Sequence, residues 1–453
     1  MNALLKIPRS LLSIALADLE RPHPYAAERV GFLSFRQSTH RNKPILLCYD
    51  YHSISDSHYM HDGSCGARIG GEAIRHAMGR AFRDQSGQLW IHAHARRGCP
   101  AASRIDLQEG PKVAQSVLNA QPKAFQGWSV ISENGICGQV LAMDGTVYEM
   151  ADLSVVGWPM VTPSRPSPKA LRRNTVRLFF APRPLEKRYD RQSFLGPDSQ
   201  RIIESAKVGI VGLGGGGSHV TQQLAHIGFQ RIVLCDNDRI DSTNLNRLIG
   251  ATLRDVPRMK HKTAVASRLF KQLQPDAEID DRPLVWEDKR DALRDCDIIF
   301  GCMDSFSGRR DLEAFCRSVM IPVVDIGMRV DRPVDGGLPN IFGQAILSMP
   351  GEPCMHCLQV LTAGNLAEEA QGYGAGRQPQ VVWPNGVLAA TGVGYAVQLL
   401  TGWAAGISGY RVDYRGNQLT LAESNLAAEL KRSAVRCKHY PLSKSGDPIW
   451  RPM

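Results

Sequence analysis

Residues 208–217 read Val-Gly-Ile-Val-Gly-Leu-Gly-Gly-Gly-Gly, an apolar strand running straight into four consecutive glycines. Ser218 and a helical run from His219 to Ile227 follow. Glycine lets a backbone adopt positive φ and come close to phosphate oxygens. The N-terminus of the next helix adds unpaired N–H groups and a positive dipole end. A second apolar strand, Arg231 to Leu234, leads into Asp236-Asn237-Asp238, and Asn244-Leu245-Asn246-Arg247 comes soon after. An acid about 20 residues past the glycines is where a nucleotide-binding βαβ unit meets its ribose. Asp236 takes that place. These residues predict an α/β fold, a doubly wound Rossmann-like domain with a mixed sheet.

An ordinary dinucleotide enzyme has no use for the Asn-Leu-Asn-Arg box. The combination resembles the ThiF/MoeB/HesA family, adenylating enzymes related to the ubiquitin-activating enzyme. The matching residues are Arg191-Gln192, Gly212 to Gly217, Asp236 and Asp238, Asn244 to Arg247, Lys262, and Asp304 with Arg309, over roughly residues 187–440. The resemblance implies ATP and Mg²⁺ as cofactors. It implies that Gly212, Gly214, Gly215, Gly217, Asp236, Asp238 and Ser305 line the nucleotide site. By the same resemblance Asp304 holds Mg²⁺, Arg247 and Lys262 contact the phosphates, and Asn244 orients them. Arg191 becomes an arginine finger that reaches in from a partner subunit, so a homodimer is expected. The family lysine usually lies about two residues closer to the Asn-Leu-x-Arg box, which points to Lys260. The apolar pattern Ala264, Val265, Leu269 fits the Lys262 register better, and Lys260 stays as the alternative. Two anions meet in such a reaction, so cations are required to neutralise charge.

The chain of 453 residues has room for two or three domains. With 43% hydrophobic and 22% charged residues it reads as globular. Eleven cysteines with a single close pair argue against a disulfide framework, and a reduced, cytoplasmic protein is expected. No apolar run is long enough to span a membrane. The start of the chain lacks a convincing signal-peptide cleavage site. Apolar residues at Ile7, Leu11, Leu12, Ile14, Leu16 and Leu19 suggest an amphipathic helix. The net charge is +10, and much of the excess lies between Arg165 and Arg191. Without aromatic interleaving or a nucleic-acid motif, this stretch reads as a solvated linker, and neither nucleic acid nor membrane is an expected partner. The boundaries predicted are an N-terminal domain over 1–160, a basic Pro-rich linker over 161–186 and an adenylation domain over 187–453.

A second constellation lies in the N-terminal part. Leu89 to Ile91 reads as a strand and runs into His92-Ala93-His94, and Ser103-Arg104-Ile105-Asp106 follows. Two histidines at i and i+2 on a strand point to one face. An Asp on the following helix closes a three-ligand set with a fourth position left open, the geometry of a catalytic zinc. Upstream, Glu28 is placed to take a proton from water.

These pieces resemble the JAB/JAMM metalloproteases, which cleave next to the C-terminal glycines of ubiquitin-like proteins. Glu28 to Leu33 matches the family's Glu-x-x-Gly-x-Leu. His92, His94, Ser103 and Asp106 match its His-x-His and Ser-x-x-Asp pieces, and Gly71 to Phe82 looks like its helix before the metal strand. The resemblance implies Zn²⁺ on His92, His94 and Asp106, with Glu28 and Ser103 as catalytic residues. Two departures stand out. Eleven residues rather than ten separate His94 from Asp106, and Ala95 replaces the usual Pro. A JAB-like fold that has lost its metal and only docks the carrier is the alternative.

Cys354-Met-His-Cys357 falls where the adenylating family often places the first of two Cys-x-x-Cys pairs for structural zinc, and Cys437-Lys438-His439 where it places the second. Cys354, Cys357 and Cys437 with His439 or His356 would hold the ion; a lapsed site is the alternative. The crossing segment Leu361 to Trp383, where ubiquitin-activating enzymes carry the thioester cysteine, has none. Gly372, Gly374 and Gly376 suggest a mobile loop there, and Cys302 and Cys316 read as buried packing residues. The chain is therefore expected to stop at the acyl-adenylate and pass a ubiquitin-like or sulfur-carrier protein to a conjugating enzyme or sulfurtransferase. A purely sulfur-transfer role in thiamine, molybdopterin or cysteine synthesis is the rival reading.

Overall fold

The computed structural model describes residues 2–22, 26–63, 65–94, 100–163, 165, 186–331, 337–370, 379–407 and 409–447. Most of the predicted linker, Ala95, and Gly372, Gly374 and Gly376 lie outside the described residues. Two compact units are present. One comprises 1–164 with 318–320 and 441–450, and the other 165–317 and 321–440 with 451–453.

The first unit is a closed barrel of seven strands: β1 (Asn2–Pro8), β2 (Val30–His40), β3 (Lys43–Ser53), β4 (Gly87–His92), β5 (Gln126–Ile131), β6 (Ile136–Leu141) and β7 (Val147–Val156). Their order is β1-β3-β2-β4-β5-β6-β7, and parallel pairing of β1 with β7 closes the ring. Three helices accompany it: α1 (Arg9–Leu19), α2 (Gly71–Asp84) and α3 (Arg104–Ala120). Period-2 alternation sorts the strands into two cores. Leu33, Leu89 and Ile91 pack with Leu12 and Ala15 of α1. Phe32, Trp90 and Trp128 pack with Ala77 and Ala81 of α2 and Ala114 of α3. Gly110 is needed because a Cβ there would stand 2.4 Å from the Trp128 ring.

The expected N-terminal helix is only half right. Residues 2–8 form β1, and the helix begins at Arg9. Pro8, with φ −61° and ψ 139°, is the extended N-cap at which the strand ends. Leu5 and Ile7 are buried from the strand because β1 pairs on both sides.

The second unit is an eight-stranded sheet in the order β10-β9-β8-β11-β12-β13-β14-β15. Its strands are β8 (Lys207–Val211), β9 (Arg231–Cys235), β10 (Glu278–Asp280), β11 (Ile298–Gly301), β12 (Val323–Asp331), β13 (Asn340–Ser348), β14 (Arg411–Arg415) and β15 (Thr420–Glu423). The first five pair in parallel and the rest antiparallel, which is the mixed sheet expected. The helices are α4 (Ser199–Ser205), α5 (Gly215–Ile227), α6 (Lys262–Leu273), α7 (Arg290–Leu293), α8 (Phe306–Ser318), α9 (Ala363–Ala370), α10 (Val382–Thr401) and α11 (Asn425–Arg432). A 3₁₀ segment, Lys187–Leu195, precedes α4. Val208, Ile210, Ile232, Leu234 and Ile298 to Phe300 are all buried, the continuous apolar pattern of parallel strands covered on both faces. The chain runs outward from β8 through β9 to β10, then returns to place β11 on the other side of β8. That reversal is a switch point, and a ligand crevice is expected outside the carboxyl ends of β8 and β11. No helix among the described residues is long and apolar enough to cross a membrane.

Candidate functional site

A cleft of about 190 Å³ opens at this switch point, lined by Gly212, Gly214 to Gly216, Asp236, Asp238, Lys262, Cys302 to Asp304, Ile326, Met328, Gln380 and Asn385. The glycines have distinct roles. Gly212 turns the chain at φ +87°. A Cβ on Gly217 would stand 1.9 Å from the Gly212 carbonyl oxygen, so no side chain fits between helix and turn. A Cβ on Gly215 would meet Asn385 at 2.5 Å, whereas one on Gly214 would meet nothing within 4 Å. The first turn of α5 therefore bares its backbone, and the leading N–H groups of a helix lack intrahelical partners. The geometry suits an anion.

Acids and one lysine face this turn. Asp236 accepts from the N–H groups of Leu213 at 2.7 Å and Asp238 at 2.8 Å. Burial pushes its carboxyl up, and the Lys262 ammonium 3.9 Å away opposes that. Lys262 Nζ also lies 2.7 Å from Asp238. As first residue of α6 it sits at the helix mouth, its N–H bonded to the Asp238 carbonyl at 3.0 Å. Lys260 is not among the lining residues; its carbonyl accepts from the Ile240 N–H.

The remaining predicted residues fall around the cleft. Asn244 is buried and caps a turn, its Oδ1 accepting from the Asp241 N–H at 3.2 Å. Arg247 donates to the Thr243 carbonyl at 2.7 Å and to Asn246 at 3.1 Å. Neither lines the cleft. Ser305 is likewise absent from the lining and accepts from the Gly308 N–H at 3.2 Å, capping α8. Arg309 is buried, bonded to the Met303 carbonyl at 3.0 Å and 3.5 Å from the buried Asp325. It braces the turn that carries Asp304. Arg191 is exposed in the 3₁₀ segment. Cys316 is buried as expected, but Cys302 faces the cleft because it follows the last residue of β11.

Gln380 and Asn385 were not expected at the site. Gln380 donates to Asp304 Oδ1 at 3.1 Å. Asn385, 5% exposed in the first turn of α10, bonds the Val381 carbonyl at 2.9 Å. A polar residue inside the apolar run of α10 was the one signal in the sequence that pointed to Asn385. Gln380 carried none.

The N-terminal unit gathers a second site at the end of β4. His92 Nε2 lies 3.2 Å from His94 Nε2 and 3.1 Å from Asp106 Oδ1, and His94 Nε2 lies 3.5 Å from Asp106 Oδ2. Ligands about 2.0–2.1 Å from a tetrahedral zinc are about 3.3 Å apart, so this donor triangle fits the ion. Glu28 Oε1 stands 4.0 Å from His94 Nε2. Burial would raise the Asp106 carboxyl, but His92 and the Ser103 N–H outweigh it and hold it at about 2. Ser103 is the N-cap of α3, and its hydroxyl accepts from the Asp106 N–H at 3.2 Å. The extra residue before Ser103 leaves Asp106 within reach of both histidines.

A third cluster joins Cys354, Cys357, Cys437 and His439. Sγ–Sγ separations are 3.6 Å for Cys354–Cys357 and 3.9 Å for Cys357–Cys437. His439 Nδ1 lies 3.5 Å from Cys354 and 3.4 Å from Cys357. Tetrahedral zinc with Zn–S of about 2.3 Å needs sulfurs about 3.8 Å apart, so these residues fit it too. Of the two candidate nitrogens, that of His439 is inside the cluster; His356 stacks on the His439 ring at 5.1 Å.

The ThiF family profile matches residues 188–437. The sulfur carrier protein ThiS adenylyltransferase of Escherichia coli (strain K12) is 32% identical over 142 residues, 30% of this chain and 56% of that protein. The SAMP-activating enzyme E1 of Haloferax volcanii is 28% identical over 38% of this chain and 61% of its own length. The molybdopterin-synthase adenylyltransferase of Escherichia coli (strain K12) is 28% identical over 50% of this chain and 87% of its own. The chain thus spans about half to three-fifths of the length of the first curated relatives it matches. Among solved structures, E. coli MccB with ATP superposes with a TM-score of 0.44 at 24% identity, covering 54% of this chain and 72% of that one.

Proposed function

The chain belongs to the ThiF family, and on that premise we propose that its second unit uses ATP to adenylate the C-terminal glycine of a ubiquitin-like or sulfur-carrier protein. The observation that carries this reading is the cleft at the switch point, where bare glycine backbone, Lys262, Asp236 and Asp304 converge. The carrier carboxylate oxygen attacks the α-phosphorus of ATP. The bond from that phosphorus to the bridging oxygen breaks, and pyrophosphate leaves. The α5 mouth binds phosphate oxygens, Lys262 offsets their charge, and Asp236 receives the ribose hydroxyls. Asp304 would hold Mg²⁺, which supplies charge neutralisation for the leaving pyrophosphate. Arg191, exposed on its own chain, would complete the site of a second copy. With no cysteine in residues 361–383, the acyl-adenylate is the end product, and a partner accepts the activated carrier.

The N-terminal unit is read as a JAB/JAMM-like hydrolase acting on the same carrier, supported by the fit of His92, His94 and Asp106 to zinc. Zinc there supplies Lewis acidity and makes water nucleophilic at neutral pH. Glu28 takes the water proton and delivers it to the leaving amine. Fusion of the two units raises the effective concentration of the shared carrier.

ATP–pyrophosphate exchange with carriers ending in Gly-Gly tests the first activity. Exchange is expected with wild type and absent in Asp304→Ala; near-normal exchange in the variant refutes the assignment. Cleavage of carriers extended beyond Gly-Gly tests the second. Retained cleavage in Glu28→Ala refutes that one.

A further inference from the structure

The turn bearing Asp304 is gripped from two sides by residues that no family motif supplied. On one side stands Glu369, near the end of α9. Its Oε1 accepts from the Phe306 N–H and its Oε2 from the Ser307 N–H, each at 2.8 Å. Ser305 takes the Gly308 N–H. The leading donors of α8 are thereby satisfied by the protein's own side chains, and a carboxylate complements the positive helix end. Burial would raise the Glu369 carboxyl, but these N–H bonds win and hold it below its ordinary value. On the other side stands Gln380, just ahead of α10. Its Nε2 donates to Asp304 Oδ1 at 3.1 Å, and its carbonyl accepts from Asn246 Nδ2 at 2.9 Å. One residue therefore ties Asp304 to the Asn-Leu-Asn-Arg turn about 60 residues upstream in sequence.

We propose that Gln380 is a positioning residue for Asp304, turning one carboxylate oxygen toward Asn246's side of the cleft and leaving the other for a divalent cation, while Glu369 fixes the turn on which Asp304 stands. This rests on the reading of Asp304 as the cation's residue. A carboxylate with one oxygen hydrogen-bonded is restricted in rotation, and loss of such an outer partner typically weakens metal binding about 10- to 100-fold. Gln380 is half-buried, so the low end of that range applies.

The test uses the full chain, Mn²⁺ as the paramagnetic probe and AMPCPP as the nucleotide, with free Mn²⁺ read by electron paramagnetic resonance. Asp304→Ala defines the binding that does not involve this site. Gln380→Met keeps the length of the side chain and removes the donor; it is expected to raise the Mn²⁺ Kd about tenfold with an unchanged thermal midpoint. Glu369→Gln is expected to accelerate hydrogen exchange at Phe306 and Ser307 and to weaken Mn²⁺ less. A Gln380→Met Kd within twofold of wild type, or a tighter one, overturns the positioning role alone. If Asp304→Ala binds Mn²⁺ as wild type does, the assignment of Asp304 falls and the positioning role with it.

Discussion

Replacing Lys262 by methionine separates the two candidate phosphate lysines. Lys262 Nζ sits 2.7 Å from Asp238 and 3.9 Å from Asp236. A unit charge about 4 Å from a phosphate oxygen is worth about 4 kcal/mol at an effective dielectric of 20. Lys262 is already engaged with two carboxylates, so the nucleotide gains only the difference. A hydrogen bond to a charged group, net about 2 kcal/mol, is the better measure. That converts to about a 30-fold loss of ATP affinity at 1.4 kcal/mol per tenfold. Asp236 adds an internal check. Burial already raises its carboxyl, and Lys262 is the charge that opposes this. Without the lysine, Asp236 should rise further, so ATP binding by the variant should weaken as pH falls over a range where wild type is flat. Calorimetric titration of ATP into the full chain at several pH values reads both effects. Lys260→Met should bind within about twofold of wild type, since its side chain is not part of the lining. A 30-fold loss in Lys260→Met with near-normal Lys262→Met would refute the reasoning.

Two zinc ions per chain are expected from elemental analysis, falling to one in His439→Ala and to one in His92→Ala, while Glu28→Ala keeps both; a His439→Ala protein that still holds two puts the third cluster's ion elsewhere. Mixed dimers of Arg191→Ala and Asp304→Ala subunits should recover part of the exchange activity that each lacks, and no recovery after subunit exchange would place Arg191 in its own chain's site. Asp255 is buried, pairs with Arg268 at 2.8 Å and accepts from Thr252, which holds its carboxyl well below the usual range. A depressed carboxyl contributes stability that is full above about pH 4 and is lost as pH falls. Arg268→Met should therefore cost about 2 kcal/mol at pH 7, with the gap to wild type in urea midpoints closing below about pH 4; a gap that widens in acid contradicts the pairing.

What the sequence revealed follows from how local each signal is. The glycine turn, the acid ending β9 and the Asn-Leu-Asn-Arg box lie within about 40 residues, and buried parallel strands announce themselves as unbroken apolar runs. The His92–His94 pair and the Cys354–Cys357 pair are equally local, and each needed one distant partner, Asp106 or Cys437, that chemistry alone nominated. β1 was misread because Leu4, Leu5 and Ile7 fit a helix and a strand alike, and only pairing with β3 and β7, over 40 and 140 residues away, decides between them.

Gln380, Asn385 and Glu369 show where reading along the chain stops. Each acts on backbone or side chains 60 to 170 residues earlier in sequence, and none has a spacing rule to mark it. The sheet order supplies what spacing lacks. Because β11 returns beside β8, the turn at Asp304 faces the turn at Gly212, and α10, packed against α5, brings Asn385 against Gly215. Substituting Gly215 by alanine would thus press a methyl onto Asn385 rather than into solvent, whereas alanine at Gly214 meets open cleft. Both changes leave the family motif equally damaged on paper. The geometry separates them: Gly215→Ala disturbs how α10 closes the site, while Gly214→Ala puts a methyl only where a ligand would lie.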